Sequence, residues 1–119
     1  MKKLKFPSLK TLSSGAFKNV RGAGLTIDIG ENLASIPSQA FYGASGDNYI
    51  NKILAVILRR TSIVSLANSS VFDYSWIKTE TDKGFVYVPD DLVDSYKTAT
   101  NWSTIADKIK PLSEYVEVE

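Results

Sequence analysis

Leu9-Lys10-Thr11-Leu12-Ser13-Ser14-Gly15-Ala16-Phe17 and Leu33-Ala34-Ser35-Ile36-Pro37-Ser38-Gln39-Ala40-Phe41 share one pattern, L-x-x-[LI]-x-x-x-A-F. A looser third copy runs from Ile63-Val64-Ser65-Leu66 through Ala67-Asn68-Ser69-Ser70 to Val71-Phe72, with one extra residue before the aromatic. Phe17 and Phe41 are 24 positions apart and Phe41 and Phe72 are 31 apart, so the second interval holds an insertion, placed at Ser45 to Asn48. Similarity at a near-fixed step marks an array of supersecondary units, none of which can bury its apolar face without a neighbour. The three phenylalanines are expected to stack inside such an array as a ladder.

Strand signals fall between the copies. Leu25-Thr26-Ile27-Asp28-Ile29 alternates strictly, with three apolar residues on one side. Ile53 to Leu58 is a continuous apolar run, the mark of a strand covered on both faces. Phe85-Val86-Tyr87-Val88 is short and β-prone, and Pro89 ends it. Their last residues, Ile29, Leu58 and Val88, are 29 and 30 positions apart. So regular a recurrence predicts stacked coils whose strands lie side by side in one parallel sheet. The first interval of 24 also lies in the range of leucine-rich repeats, about 20–29 residues.

The pattern then changes. Asp90 or Asp91 is expected to cap a helix through about Lys97, with Leu92, Val93 and Tyr96 on one face. Thr100 or Asn101 is expected to cap a second, in which Trp102, Ile105, Ala106 and Ile109 recur at helical spacing until Pro111 stops it. Such a pair suits the lid that a solenoid needs over its last coil. The expected fold is therefore α/β and strand-dominated: a short right-handed leucine-rich-repeat solenoid with a parallel sheet and a C-terminal helical cap. At 119 residues it forms one domain. About three repeats fill 1–84, the last strand and two-helix cap fill 85–112, and an acidic tail, expected to fray, fills 113–119.

The two A-F copies, with Val86-Tyr87-Val88-Pro89-Asp90-Asp91-Leu92-Val93-Asp94-Ser95-Tyr96-Lys97 and Asn101-Trp102-Ser103, resemble BspA-like leucine-rich-repeat proteins. The stretch through Ile109-Lys110-Pro111-Leu112 is similar to the terminal cap of bacterial surface and phage-tail-associated members. The resemblance covers most of the chain, and its cap segment is the more specific part. It implies adhesion or protein contact in a cell-surface or tail-like assembly, with no catalysis. Family members usually carry many repeats where this chain has about three, and here Val71-Phe72 replaces Ala-Phe.

Composition narrows the chemistry. There is no cysteine, so disulfides and thiolate metal sites are excluded. There is no histidine, which removes the usual general base near neutral pH. Gly22-Ala23-Gly24 precedes a strand and lacks the Lys-Ser/Thr of a phosphate loop. Neither a cofactor nor an enzymatic activity is expected. Lys2, Lys3, Lys5, Lys10, Lys18 and Arg21 all precede the first acidic residue, Asp28; this basic start is read as a solvated terminus, which argues against nucleic acid as the partner. Met1-Lys2-Lys3 is followed by no apolar leader core, and no run approaches the ~20 residues of a membrane span. No export signal and no membrane insertion are expected, and the site of action is left open.

With Ile27, Ile29, Val56, Leu58, Val86 and Val88 inward, period two sends Thr26, Asp28, Ala55, Ile57, Phe85 and Tyr87 outward. This face is either a contact surface or one that another segment of the chain covers. The candidate mechanism buries Ile57, Phe85 and Tyr87 against a protein or surface-glycan partner, while Asp28 and Arg59 set register. Tyr74 and Trp76, on turns, are further candidate anchors. The alternative is a structural unit that self-assembles as a homo-oligomer through its open N-terminal coil or its sheet face.

Overall fold

The computed structural model describes residues 2–17, 24–43 and 50–115. Five strands form one sheet: β1 (Lys2–Phe6), β2 (Leu25–Ile29), β4 (Ile53–Leu58), β6 (Phe85–Val88) and β7 (Ile109–Pro111). They lie in the order β1-β2-β4-β6-β7, every pairing is parallel, and the two distinct edges leave the sheet open. A second parallel pair, β3 (Ser35–Ile36) and β5 (Ser65–Leu66), comes from equivalent positions of the second and third sequence copies. The result is a compact α/β domain with a mostly parallel sheet and few helices.

The core lies between these layers. Leu25, Ile27, Ile29, Val56, Leu58, Val86, Val88 and Ile109 reach it from the large sheet; Ile36 and Leu66 reach it from the small one. Phe17, Phe41 and Phe72 stand in a column, with ring centroids 5.5 and 5.2 Å apart and planes within 7° of parallel. Backbone bonds repeat from copy to copy: the Phe17 amide donates to the Ala40 carbonyl, and the Phe41 amide to that of Val71. Val71-Phe72 therefore takes the place of Ala40-Phe41 despite the extra residue ahead of it. Asn51, wholly buried, stitches the column by donating its side-chain amide to the carbonyls of Phe17 at 2.8 Å and Phe41 at 3.0 Å. The insertion expected at 45–48 lies outside the described residues.

The far end of the column is closed by side chains. Trp102 continues it, 5.8 Å from Phe72, and packs edge-on against Tyr96. The Trp102 indole donates to the Val64 carbonyl, the Val64 amide donates to the Tyr96 hydroxyl, and Asn101 donates to the Leu66 carbonyl. These three side chains satisfy backbone groups along β5 that a further strand would otherwise pair, as burial requires. Asn101 thus spends its amide on β5 and makes no helix cap. Their scaffold is a 3₁₀ turn (Asp90–Leu92), α2 (Val93–Thr98) and a 3₁₀ segment (Trp102–Lys108) kinked at Ile105. A one-turn helix, α1 (Trp76–Thr79), precedes β6.

Three expectations are corrected. The basic start is β1, because Leu4 and Phe6 continue the inward rows of Ile27 and Ile29. The second cap helix ends at Lys108; Ile109 and Pro111 are strand residues, and proline is tolerated there because β7 is an edge. The described start of the tail is structured: Leu112–Glu114 form a 3₁₀ turn that Asp90 holds by accepting from the Ser113 amide, and 116–119 lie outside the described residues. Asp90 therefore braces the tail and caps no helix.

Ring burial grades along the column, since Phe41 is 0% exposed while Phe17, at the open end, is half-buried. Phe41→Ala is expected to lower unfolding free energy by about 3–5 kcal/mol in urea titrations, with Phe17→Ala costing clearly less.

Candidate functional site

The register of the large sheet assembles the outward face rung by rung. One rung is Lys3–Thr26–Ala55–Phe85 and the next is Lys5–Asp28–Ile57–Tyr87–Lys110. Arg59, two residues beyond Ile57, keeps the same parity. Asp28, Ile57, Arg59, Phe85 and Tyr87 thus meet on one surface. Tyr74 and Trp76 belong to the turns after the ring column. Tyr74 is the exposed partner of Tyr42 in an edge-on pair 5.8 Å apart, and Trp76 opens α1 with the Lys83 ammonium 4.7 Å above its ring.

Burial divides the face. Ile57 is 0% exposed, so it has no surface left to give a partner, and the part expected of it is corrected. Tyr115, a residue of the tail, stands on the same face. The Tyr115 ring meets Tyr87 edge-on at 5.1 Å and lies 5.2 Å from the Lys3 ammonium. Tyr87 stands on β6 and Lys3 on β1, so the ring between them lies above β2 and β4. Phe85 and Tyr87 are half-buried, their rings 6.4 Å apart.

Asp28 is buried and held by a fork. Arg59 donates from Nε at 2.7 Å and from an Nη at 3.0 Å, and the Lys3 ammonium stands 3.8 Å away. Bidentate geometry of this kind fixes orientation as well as charge. Burial alone would raise the carboxyl's pKa; the Arg59 hydrogen bonds and charge, then Lys3 and Lys5, outweigh it and hold it below its usual range. Burial, followed by Tyr115 and the charge of Glu114, pushes the Tyr87 hydroxyl above its ordinary value, so at neutral pH it is an uncharged donor.

Two lysines frame Phe85, with Lys108 4.9 Å and Lys110 5.4 Å from the ring centroid. Lys108 is buried beneath, donating to the carbonyls of Trp76, Ile77, Glu80 and Lys83. Burial pulls its pKa down against the charges of Glu80 and Asp82. In a cleft of about 660 Å³ between α1 and the Trp102–Lys108 segment, Lys78, Thr104 and Lys108 already spend their polar groups on the fold. The Thr104 hydroxyl donates to Asn101, and the Lys78 ammonium to Asp73 and Ser69. The face is thus an aromatic strip of Phe85, Tyr87 and Tyr115 flanked by Lys3, Lys5, Arg59 and Lys110. Sequence reasoning missed Lys3, Lys5, Lys110 and Tyr115. The alternation Lys3-Leu4-Lys5-Phe6 was the available signal for the first two.

Because the folded-state pKa of Asp28 lies below the unfolded value of about 3.9, its contribution to stability is fully present above that pH. It is lost as pH falls through the folded value. Thermal midpoints measured from neutral pH downward should therefore fall more steeply below about pH 4 in the parent than in Asp28→Asn. Parallel curves would show that the fork contributes nothing.

Comparison with protein-family models, with curated proteins and with solved structures returns no significant match.

Proposed function

We propose that the chain is a short right-handed leucine-rich solenoid serving as a non-catalytic recognition module of a bacterial surface or phage tail-like structure. Its sheet face would engage a protein or glycan partner. The observation that carries this reading is the pairing of half-buried Phe85 and Tyr87 with flanking cations on successive rungs of an all-parallel sheet. Aromatic anchors held at fixed spacing lose little conformational entropy on binding, and neighbouring cations add orientation. The resemblance to BspA-like proteins points the same way. Within the described residues, no helix is long and apolar enough to cross a membrane.

A second reading is favoured by one further observation. At the β1 end, Leu4, Phe6, Leu9, Leu12 and Phe17 are only half-buried, whereas their counterparts deeper in the stack are fully covered. That open coil is the surface a homo-oligomer would use. Lys3 and Lys5 on the same edge strand oppose face-to-face pairing of identical copies.

Binding of the chain to immobilised cell-wall polysaccharide and to purified cell-surface proteins, read by interferometry, tests the first reading. Phe85→Ser with Tyr87→Ser should weaken capture by at least about 30-fold, the effect of losing an anchor worth about 2 kcal/mol. The unfolding transition should stay cooperative. Unchanged capture overturns the reading, and a mass that rises with concentration in light scattering supports the oligomer instead.

A further inference from the structure

We infer that the open end of the stack, formed by β1 and residues 9–17, is a docking surface for one further coil carried by another polypeptide. That coil is of the same L-x-x-[LI]-x-x-x-A-F type and bears an acidic residue on its strand. The inference rests on the solenoid reading, but it concerns the end of the stack and not the sheet face. It also gives the open coil an occupant other than a second copy.

The hydrogen bonds of the turn row carry the argument. The Phe17 amide donates to the Ala40 carbonyl at 2.8 Å, and the Phe41 amide donates to the Val71 carbonyl at 3.3 Å. The Gly15 amide donates to the Ser38 carbonyl in the same sense. In this row, then, each copy gives amides to the next and receives them from the one before. In the first copy Ala16 and Ser14 hold the places of Ala40 and Ser38, and among the described residues neither carbonyl accepts a hydrogen bond. The amides of Gly15, Ala16 and Phe17 are already spent on Ser38, Ser13 and Ala40. The row therefore offers acceptors only, and what completes it must donate.

The side chains repeat the message. Leu4, Phe6, Leu9, Leu12 and Phe17 are half-buried, whereas Ile27, Ile29, Leu33, Ile36 and Phe41, in the same places of the second copy, are 0% exposed. A coil laid on β1 covers all five, and its own phenylalanine continues the 5.2–5.5 Å step of the column. β1 is the first strand of the sheet, and its Lys5 is exposed on the rung where β2 carries Asp28. An acidic residue on the incoming strand flanks Lys5 from the other side, as opposite charges on neighbouring strands favour. A second copy fits less well. A two-fold contact sets the acceptor row and Lys5 against a surface offering the same groups. A head-to-tail contact needs the far end, where Tyr96, Asn101 and Trp102 already satisfy β5.

The probe is a synthetic peptide of residues 25–43, the chain's own second copy, which supplies Asp28 and Phe41. Added to the ¹⁵N-labelled chain at up to about 1 mM, it should saturably shift amide resonances of β1 and of residues 9–17. Phe41→Ala in the peptide should weaken this at least about tenfold. Joining the peptide ahead of Lys2 through about ten Gly/Ser residues raises its effective concentration to the millimolar range, so a peptide too weak to bind freely is still tested. In that fusion, hydrogen exchange at Leu4 and Phe6 should slow at least about tenfold. Either response supports the docking surface. No shift in the mixture together with unchanged exchange in the fusion overturns it. So do shifts confined to Phe85–Val88 or Ile109–Pro111, and so does a mass that rises with concentration for the chain alone, which assigns the end to a second copy. None of these readouts uses Phe85 or Tyr87 as an anchor, so their failure leaves the capture experiment standing, and the reverse also holds.

Discussion

Parallel register between β2, β4 and β6 is the constraint from which the other features follow. A shift of one residue would carry Ile27, Val56 and Val86 to the outside and bring Thr26, Ala55 and Phe85 in. The shift is forbidden by what lies on the inner side: the phenylalanine column sets one repeat distance, and Asn51 ties its first two members through the carbonyls of Phe17 and Phe41. The oxygen of that amide has no hydrogen-bond partner among the described residues. An unpaired buried acceptor costs about 1–3 kcal/mol, so the two donated bonds must matter more to the fold than the one forgone. Gly30 belongs to the same requirement, because a Cβ there would overlap the Pro7 carbonyl where consecutive turns nest.

Much of this was legible in the sequence because the inner layer is written in apolar residues. β2, β4 and β6 occupy the expected segments, and the extra residue before Val71 is absorbed without displacing Phe72 from the column. The two edge strands were hidden for opposite reasons. In β1 the apolar side is only Leu4 and Phe6, and the lysines between them read as solvent. In β7, Ile109 prolongs the helical spacing of Trp102 and Ile105, while Pro111 reads as a stop. What decides for a strand is the unpaired flank of β6, which lies far away in sequence and so leaves no local mark.

The outward face shows a different limit. Period two correctly predicts which side chains share it, but it carries no information about what lies on top. Ile57 is fully buried, and Tyr115, from a segment whose acidity suggested solvent, packs on the same face against Tyr87. Asp28 and Arg59 were expected to be available for register with a partner, and they are instead engaged with each other. Lysine has a similar double meaning at Lys108, which a sequence reader assigns to the surface. There the aliphatic stem is buried and the ammonium serves four backbone carbonyls of the segment around α1.

The way Tyr96, Asn101 and Trp102 finish β5 has an evolutionary corollary. An extra coil inserted between β5 and those residues would need a full set of new strand partners and a new ring to carry the column forward. A coil gained by tandem duplication within residues 25–58 would bring its own strand, its own phenylalanine and neighbours of the right shape on both sides. On the proposed solenoid reading, repeat number should therefore vary through the middle and upstream portions, while the terminus built on Tyr96 and Trp102 is inherited as an indivisible block.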